Sequence, residues 1–125
     1  MKVLSIRQPW AHLIVNGVKR IENRTWTTTY RGPLLIHAGA RWADTPIADI
    51  ERLFDLTIPA ELPRGAIVGA ADLVDVVTSS RDRFFSGPYG FVLENAQASP
   101  EPCPMKGRLG LFEIPTNATD ALHQG

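Results

Sequence analysis

A chain of 125 residues, 44% hydrophobic and 21% charged with a formal net charge of zero, reads as one globular domain able to bury a core and too apolar to be disordered. It contains no apolar run of about 18 residues, so no membrane span is expected, and its strand-like N-terminus without a signal-peptide core points to the cytoplasm. Cys103 is the single cysteine, which excludes an internal disulfide, and His12, His37 and His123 lack metal-ligand spacing, so neither a metal nor another cofactor is expected.

The zero net charge conceals a strong asymmetry. Up to Arg41 the chain holds seven cations (Lys2, Arg7, Lys19, Arg20, Arg24, Arg31, Arg41) against one acid, Glu22, whereas the remainder holds six cations and twelve acids. A cationic segment that also contains Trp10, Trp26 and Tyr30 has the residue types a nucleotide or polyanion requires.

In chain order, Val3 to Ile6 reads as a short strand. Pro9 suits the first position of a helix because its missing N–H costs nothing there. Trp10, Leu13, Ile14 and Gly17 then recur at helical spacing, and Asn16-Gly17 supplies a stop. Lys19 to Trp26 follows as an extended segment, with Arg20, Glu22, Arg24 and Trp26 on one side and Lys19, Ile21 and Asn23 on the other. Leu34 to His37 is an apolar strand. A second helix is expected with Thr45 as its cap, Pro46 just inside, and Ile47, Ile50, Leu53 and Phe54 facing the core. Gly65 to Val77 reads as a long strand in which Gly69 marks a bulge or corner. Tyr89 to Glu94 and Leu109 to Ile114 are further strands. The stretch from Ala98 to Pro104, with proline at every second position from Pro100, is expected to be an extended loop poor in hydrogen bonds. Residues 116–125 form a polar tail, leaving 1–115 as the domain. Five or six strands with short helices inserted early predict an α+β fold built on a small mixed barrel.

Several residues are candidates for chemistry. Lys19, Glu22 and Arg24 form K-x-x-E-x-R directly after the helix stop. The pattern fits a surface ion pair, or a cleft in which Lys19 and Arg24 meet phosphate or a base edge while Glu22 orients one of them. Trp10 fits either the core or a stacking platform, and Trp26, on the face of Glu22 and Arg24, fits a ligand contact. His37, at the end of an apolar run, is either a satisfied core histidine or an acid–base group. Glu94, if buried, would need a cation from the first third. Lys106-Gly-Arg108 is a basic turn that is either solvated or a phosphate clamp. Ser5 and Ser86 have no legible His–Asp partners, so no hydrolytic triad is read.

Leu4-Ser-Ile-Arg-Gln-Pro-Trp-Ala11, Gly17-Val-Lys-Arg-Ile-Glu-Asn-Arg24, Tyr30-Arg-Gly-Pro-Leu-Leu-Ile-His-Ala38, Gly65-Ala-Ile-Val-Gly69, Gly90-Phe-Val-Leu-Glu-Asn95 and Lys106-Gly-Arg-Leu-Gly-Leu-Phe112 together resemble the ASCH domain family (activating-signal-cointegrator homology) of the PUA-like superfamily. The resemblance implies a small mixed barrel of five to six strands with two or more short helices. It also implies a cleft beside the first helix lined by Lys19, Glu22 and Arg24, with Ser5, Gln8, Pro9 and Trp10 on the same walls, and a role in RNA metabolism or coactivator-like regulation. One bacterial branch of the family consists of amidohydrolases of acylated cytidines with a K-x-x-T arrangement; here Glu22 stands where that threonine would be, and a carboxylate does not replace a hydroxyl nucleophile without different chemistry. Ribonuclease activity has also been proposed within the family.

Three readings follow. The first is a module that binds RNA or a nucleotide-like ligand through Ser5, Gln8, Pro9, Trp10, Lys19, Glu22, Arg24, Trp26 and His37. The second is a small hydrolase of a modified nucleoside or of RNA with Lys19 and Glu22 in its active site. The third, a protein-interaction domain, needs an exposed apolar patch that the sequence does not display.

Overall fold

The computed structural model describes residues 1–115, and the polar tail lies outside the described residues. The element order is β1 (Lys2–Gln8), α1 (Trp10–Val15), β2 (Ile21–Arg24), β3 (Gly32–Trp42), α2 (Ile47–Phe54), β4 (Ala66–Val77), β5 (Tyr89–Pro104) and β6 (Leu111–Glu113). The strands form one mixed sheet in the order β2-β5-β4-β3-β1-β6. The α+β class and the strand number are as expected, but the barrel is not: β2 and β6 are edges, so the sheet stays open. These edges are the two shortest strands, of four and three residues, too short to offer each other a long ladder.

β1 and β3 run parallel, placing Val3 opposite Leu35 and Ser5 opposite His37, while every other pairing is antiparallel. A parallel neighbour requires a crossover, and α1, β2 and the segment to Gly32 supply it. Because β1 and β3 lie inside the sheet, their side chains are apolar on both faces: Leu4, Ile6, Leu34 and Ile36 enter the main core with Ile14, Phe91 and Leu93, whereas Val3, Leu35, Ile67 and Phe112 form a second cluster.

Helix α1 is only six residues long and could not stand alone in water. It lies across the sheet against β1, β3, β4 and β5 and buries Ala11, Leu13, Ile14 and Val15. Pro9 sits one residue ahead of the first helical turn rather than inside it. Gln8, the last residue of β1, takes over the cap: its Oε1 accepts the His12 N–H at 2.9 Å and its Nε2 donates to Pro63 O at 2.9 Å. Partial burial lowers the pKa of His12 below its ordinary value, because desolvation disfavours the charged ring. Gly17 ends the helix with φ of +76°, a conformation glycine adopts without strain.

Three other expectations change. α2 starts at Ile47, with Pro46 extended at the cap position and no side-chain cap from Thr45; Ile50 is its buried residue, while Leu53 is 68% exposed. Phe54 does face inward and stacks on Phe84 at 4.3 Å. Gly69 marks a register shift in β4, as expected. The proline-rich stretch, by contrast, is strand: β5 continues to Pro104, pairing Cys103 with Ile67 and Pro104 with Ala66 after an irregularity that takes up the residues between Ala98 and Cys103. Glu94 is exposed within β5, so it needs no buried partner.

Candidate functional site: an arginine-lined cleft at the open seam

The sheet curls until β2 approaches β1 across the seam it does not close. Arg24, the last residue of β2, bridges the gap: its Nη2 donates to Ser5 O on β1 at 2.8 Å and to Glu22 Oε2 at 3.0 Å. Lys19 lies ahead of β2 rather than on the strand face opposite Glu22. Its side chain folds back so that Nζ donates to Glu22 Oε1 at 2.7 Å and to Ile21 O. The ammonium also sits 5.6 Å from the centroid of Trp10. Both Lys19 and Glu22 are buried. One carboxylate thus holds two cations, and the trio carries a formal net positive charge. Arg24 Nε is buried without an acceptor among the described residues, so the guanidinium retains unused donor capacity.

A cavity of about 750 Å³ opens over this seam. β1 contributes Ser5 and Arg7, β2 contributes Glu22, Asn23 and Arg24, β3 contributes Gly39 and Arg41, and the turn before β6 contributes Arg108. Trp10, Trp26 and Asp44 also line it. Four arginines therefore face two acids. Of these, Glu22 is already committed to Lys19 and Arg24, and Asp44 pairs with Arg7 at 3.1 Å. Both tryptophans are half-buried: Trp26 packs edge-on against Phe91 at 5.1 Å and Trp10 edge-on against Phe54 at 6.2 Å. Each ring thus belongs partly to the core and partly to the cavity wall.

A second cavity of about 700 Å³ adjoins the first, and the two share Ser5, Gly39, Ala40, Arg41, Arg108 and Leu109. His37 lies here, 1% exposed. Its Nε2 donates to Met105 O at 2.6 Å, and its Nδ1 is 2.9 Å from Ser5 Oγ. The histidine partner that sequence reading did not find for Ser5 is therefore present, brought there by the β1–β3 register.

The structure gathers Ser5, Trp10, Glu22, Arg24 and Trp26 around the first cavity, places Lys19 directly behind Glu22, and sets His37 against the second. Gln8 and Pro9 are buried and line neither cavity; Gln8 is occupied with capping α1. Arg7, Asn23 and Arg41 are wall residues that motif reading did not single out as ligands, whereas Arg108 belongs to the basic turn weighed as a phosphate clamp. The cation excess of the first third was the signal for Arg7 and Arg41, without indicating which cations converge. Asn23 anchors the opposite rim, donating to Phe84 O at 2.8 Å and accepting from the N–H groups of Ser86 and Gly87. No cluster with metal-ligating character occurs among the described residues, and no described helix is long and apolar enough to cross a membrane.

Comparison with known proteins agrees with this architecture. The chain is 29% identical to activating signal cointegrator 1 of Homo sapiens and of Mus musculus over 137 aligned positions. The alignments cover 98% of this chain and 23% of each relative, so the chain spans about a quarter of their length. Its fold superposes on the crystal structure of ASCH from Zymomonas mobilis with a TM-score of 0.66 at 17% identity, covering 98% of this chain and 93% of that one. A crystal structure of a tyrosine-to-phenylalanine mutant of the Zymomonas protein gives 0.65 at 17% identity, with 98% and 96% covered. Residues 4–102 match the model of the ASCH domain, and the chain belongs to the ASCH domain family, with its PUA-like fold.

Proposed function

We propose that this ASCH domain binds single-stranded RNA, or a ligand resembling its nucleotides, in the cavity at the open seam. The observation that supports this most directly is the lining: Arg7, Arg24, Arg41 and Arg108 around a space walled by Trp10 and Trp26. Arginine forks suit phosphate and base edges, and aromatic faces suit bases, at about 1–3 kcal/mol per stacked base. In this reading Glu22 neutralises Lys19 and aims Arg24, while Arg41 and Arg108 meet phosphates.

The test is a titration with a short single-stranded oligoribonucleotide over about 50 to 200 mM salt. Binding through phosphates should weaken with a logarithmic slope of about −0.7 per contact. The double variant R41A/R108A should reduce the slope by about 1.4 while leaving the fold intact, because both side chains are exposed. Affinity that does not respond to salt or to this variant would refute the proposal. Among the described residues, the large exposed apolar ones, Val18, Leu53, Val74 and Leu109, are scattered along the chain and do not favour a protein-docking role.

A further inference from the structure

The Ser5–His37 pair has the geometry of a nucleophile with its base. We propose that it hydrolyses carboxylic esters bearing an anionic group, in the cavity that adjoins the cleft. This inference does not rest on RNA binding.

The parallel register places Ser5 directly opposite His37, so both side chains leave the same face of the sheet. Their separation, 2.9 Å between Oγ and Nδ1, is that of a hydrogen bond. The tautomer follows from the other nitrogen. Met105 O can only accept, so Nε2 carries the proton in the neutral ring. Nδ1 then presents its lone pair to the serine hydroxyl, and the Met105 carbonyl fills the orienting place that a carboxylate occupies in a triad. The ring is held on its other sides as well. Phe112 meets it edge-on at 6.4 Å. Gly107 passes so close that a Cβ there would lie 2.7 Å from His37 Cε1 and 3.0 Å from Ser5 Oγ.

Ser5 is only half-buried and lines both cavities. The second cavity contains Arg41, Lys106 and Arg108 and no carboxylate, which is why the substrate is assigned a negative charge. Lys19 is a poorer nucleophile here, because its ammonium is committed to Glu22 and to the Ile21 carbonyl. In the proposed reaction Ser5 Oγ bonds to the acyl carbon as its proton passes to His37 Nδ1. The tetrahedral intermediate collapses, the bond to the ester oxygen breaks, and Nδ1–H protonates the departing alcohol. Water then attacks the acyl-serine, gives its proton to Nδ1, and releases the carboxylic acid with return of the proton to Oγ.

The unmodified chain is incubated with 3-acetoxy-4-nitrobenzoate, an anionic chromogenic ester, with neutral 4-nitrophenyl acetate in parallel. A fluorophosphonate adduct is located by peptide mass mapping. The expected results are an adduct on Ser5, preference for the anionic ester, and turnover lowered by about 100-fold or more in both S5A and H37Q. H12Q, which alters a histidine outside both cavities, should retain full turnover. R41A/K106A should raise KM for the anionic ester and leave kcat nearly unchanged. Absence of an adduct on Ser5, or a folded S5A that turns over the ester as fast as the parent, overturns the proposal. The labelling result decides the matter even if S5A does not fold. Salt-dependent RNA binding without ester turnover would refute this inference alone, and turnover without RNA binding would refute the cleft reading alone.

Discussion

Lys19, Glu22 and Arg24 differ in how much each depends on the others. Glu22 accepts from both cations, whereas Lys19 has Glu22 as its only charged partner among the described residues and otherwise meets the Ile21 carbonyl and the face of Trp10. Removing the carboxylate therefore leaves a buried ammonium paired with neutral groups, the situation that costs about 3–5 kcal/mol when a buried pair is broken. Removing Lys19 leaves Glu22 still paired with Arg24 at the edge of a cavity. We expect E22A to lower the unfolding free energy by about 3–5 kcal/mol and K19M to cost clearly less, as measured by urea denaturation. Equal losses would show that Arg24 does not stabilise Glu22. This trio was legible in the sequence because it is local: K-x-x-E-x-R specifies near neighbours along the chain. The Ser5–His37 pair was not. Those residues are 32 apart, and the parallel register that joins them is a tertiary property with no signature in either strand alone. Arg7, Arg41 and Arg108 were visible as charge, but their convergence depends on three separate elements meeting at one seam.

Element identity was legible wherever a short-range rule applied, and failed where pairing partners overrode one. The β1 and β3 apolar runs, the early helix and its glycine stop all follow from period and capping. The Pro100-Pro102-Pro104 array did not, because a proline in isolation denies the ladder a donor and reads as loop. In an extended chain, alternate residues direct their N–H groups to the same edge, so prolines at every second position empty one edge and leave the other able to pair. β5 uses its free edge in this way, since β2 pairs with it only from Tyr89 to Val92. Gly69 is the opposite case, a residue whose sequence signal was correct for a stronger reason than anticipated. A Cβ at that position would lie 2.3 Å from Gln97 O on β5 and 2.7 Å from Val15 Cγ1 on α1. The glycine therefore sets how closely α1 and β5 approach β4. We expect G69A to destabilise the fold by about 1–3 kcal/mol or more, with loss of α1 packing visible in the near-ultraviolet dichroism of Trp10. An unchanged denaturation midpoint would mean that β4 can shift to admit the methyl group. The open seam was likewise beyond sequence reading: whether a curled sheet closes depends on the lengths of its two edge strands, and those boundaries are set by tertiary contacts.

For the whole molecule, the charge asymmetry along the chain becomes an asymmetry in space. Arg7, Arg24 and Arg41 from the basic first third converge on the seam and are joined by Arg108 from the otherwise acidic remainder. Asp44 is the exposed acid within this field, 96% accessible at its side chain and paired with Arg7. It has no buried cation to stabilise, so its effect on the cleft is to lower the local potential and occupy one guanidinium. Neutralising it should strengthen binding of a single-stranded oligoribonucleotide and free Arg7 for a phosphate, steepening the salt dependence by up to about 0.7 in logarithmic slope. Glu94 is also an exposed acid but lines neither of these two cavities, and ions at a Debye length of about 8 Å in physiological salt screen charges that do not adjoin the ligand. D44N should therefore tighten binding at physiological salt while E94Q leaves it within about twofold, although both remove one negative charge from the chain. Equal effects would mean that net charge, rather than the local field of the seam, governs association. The reverse order would place the ligand on the β4–β5 face instead.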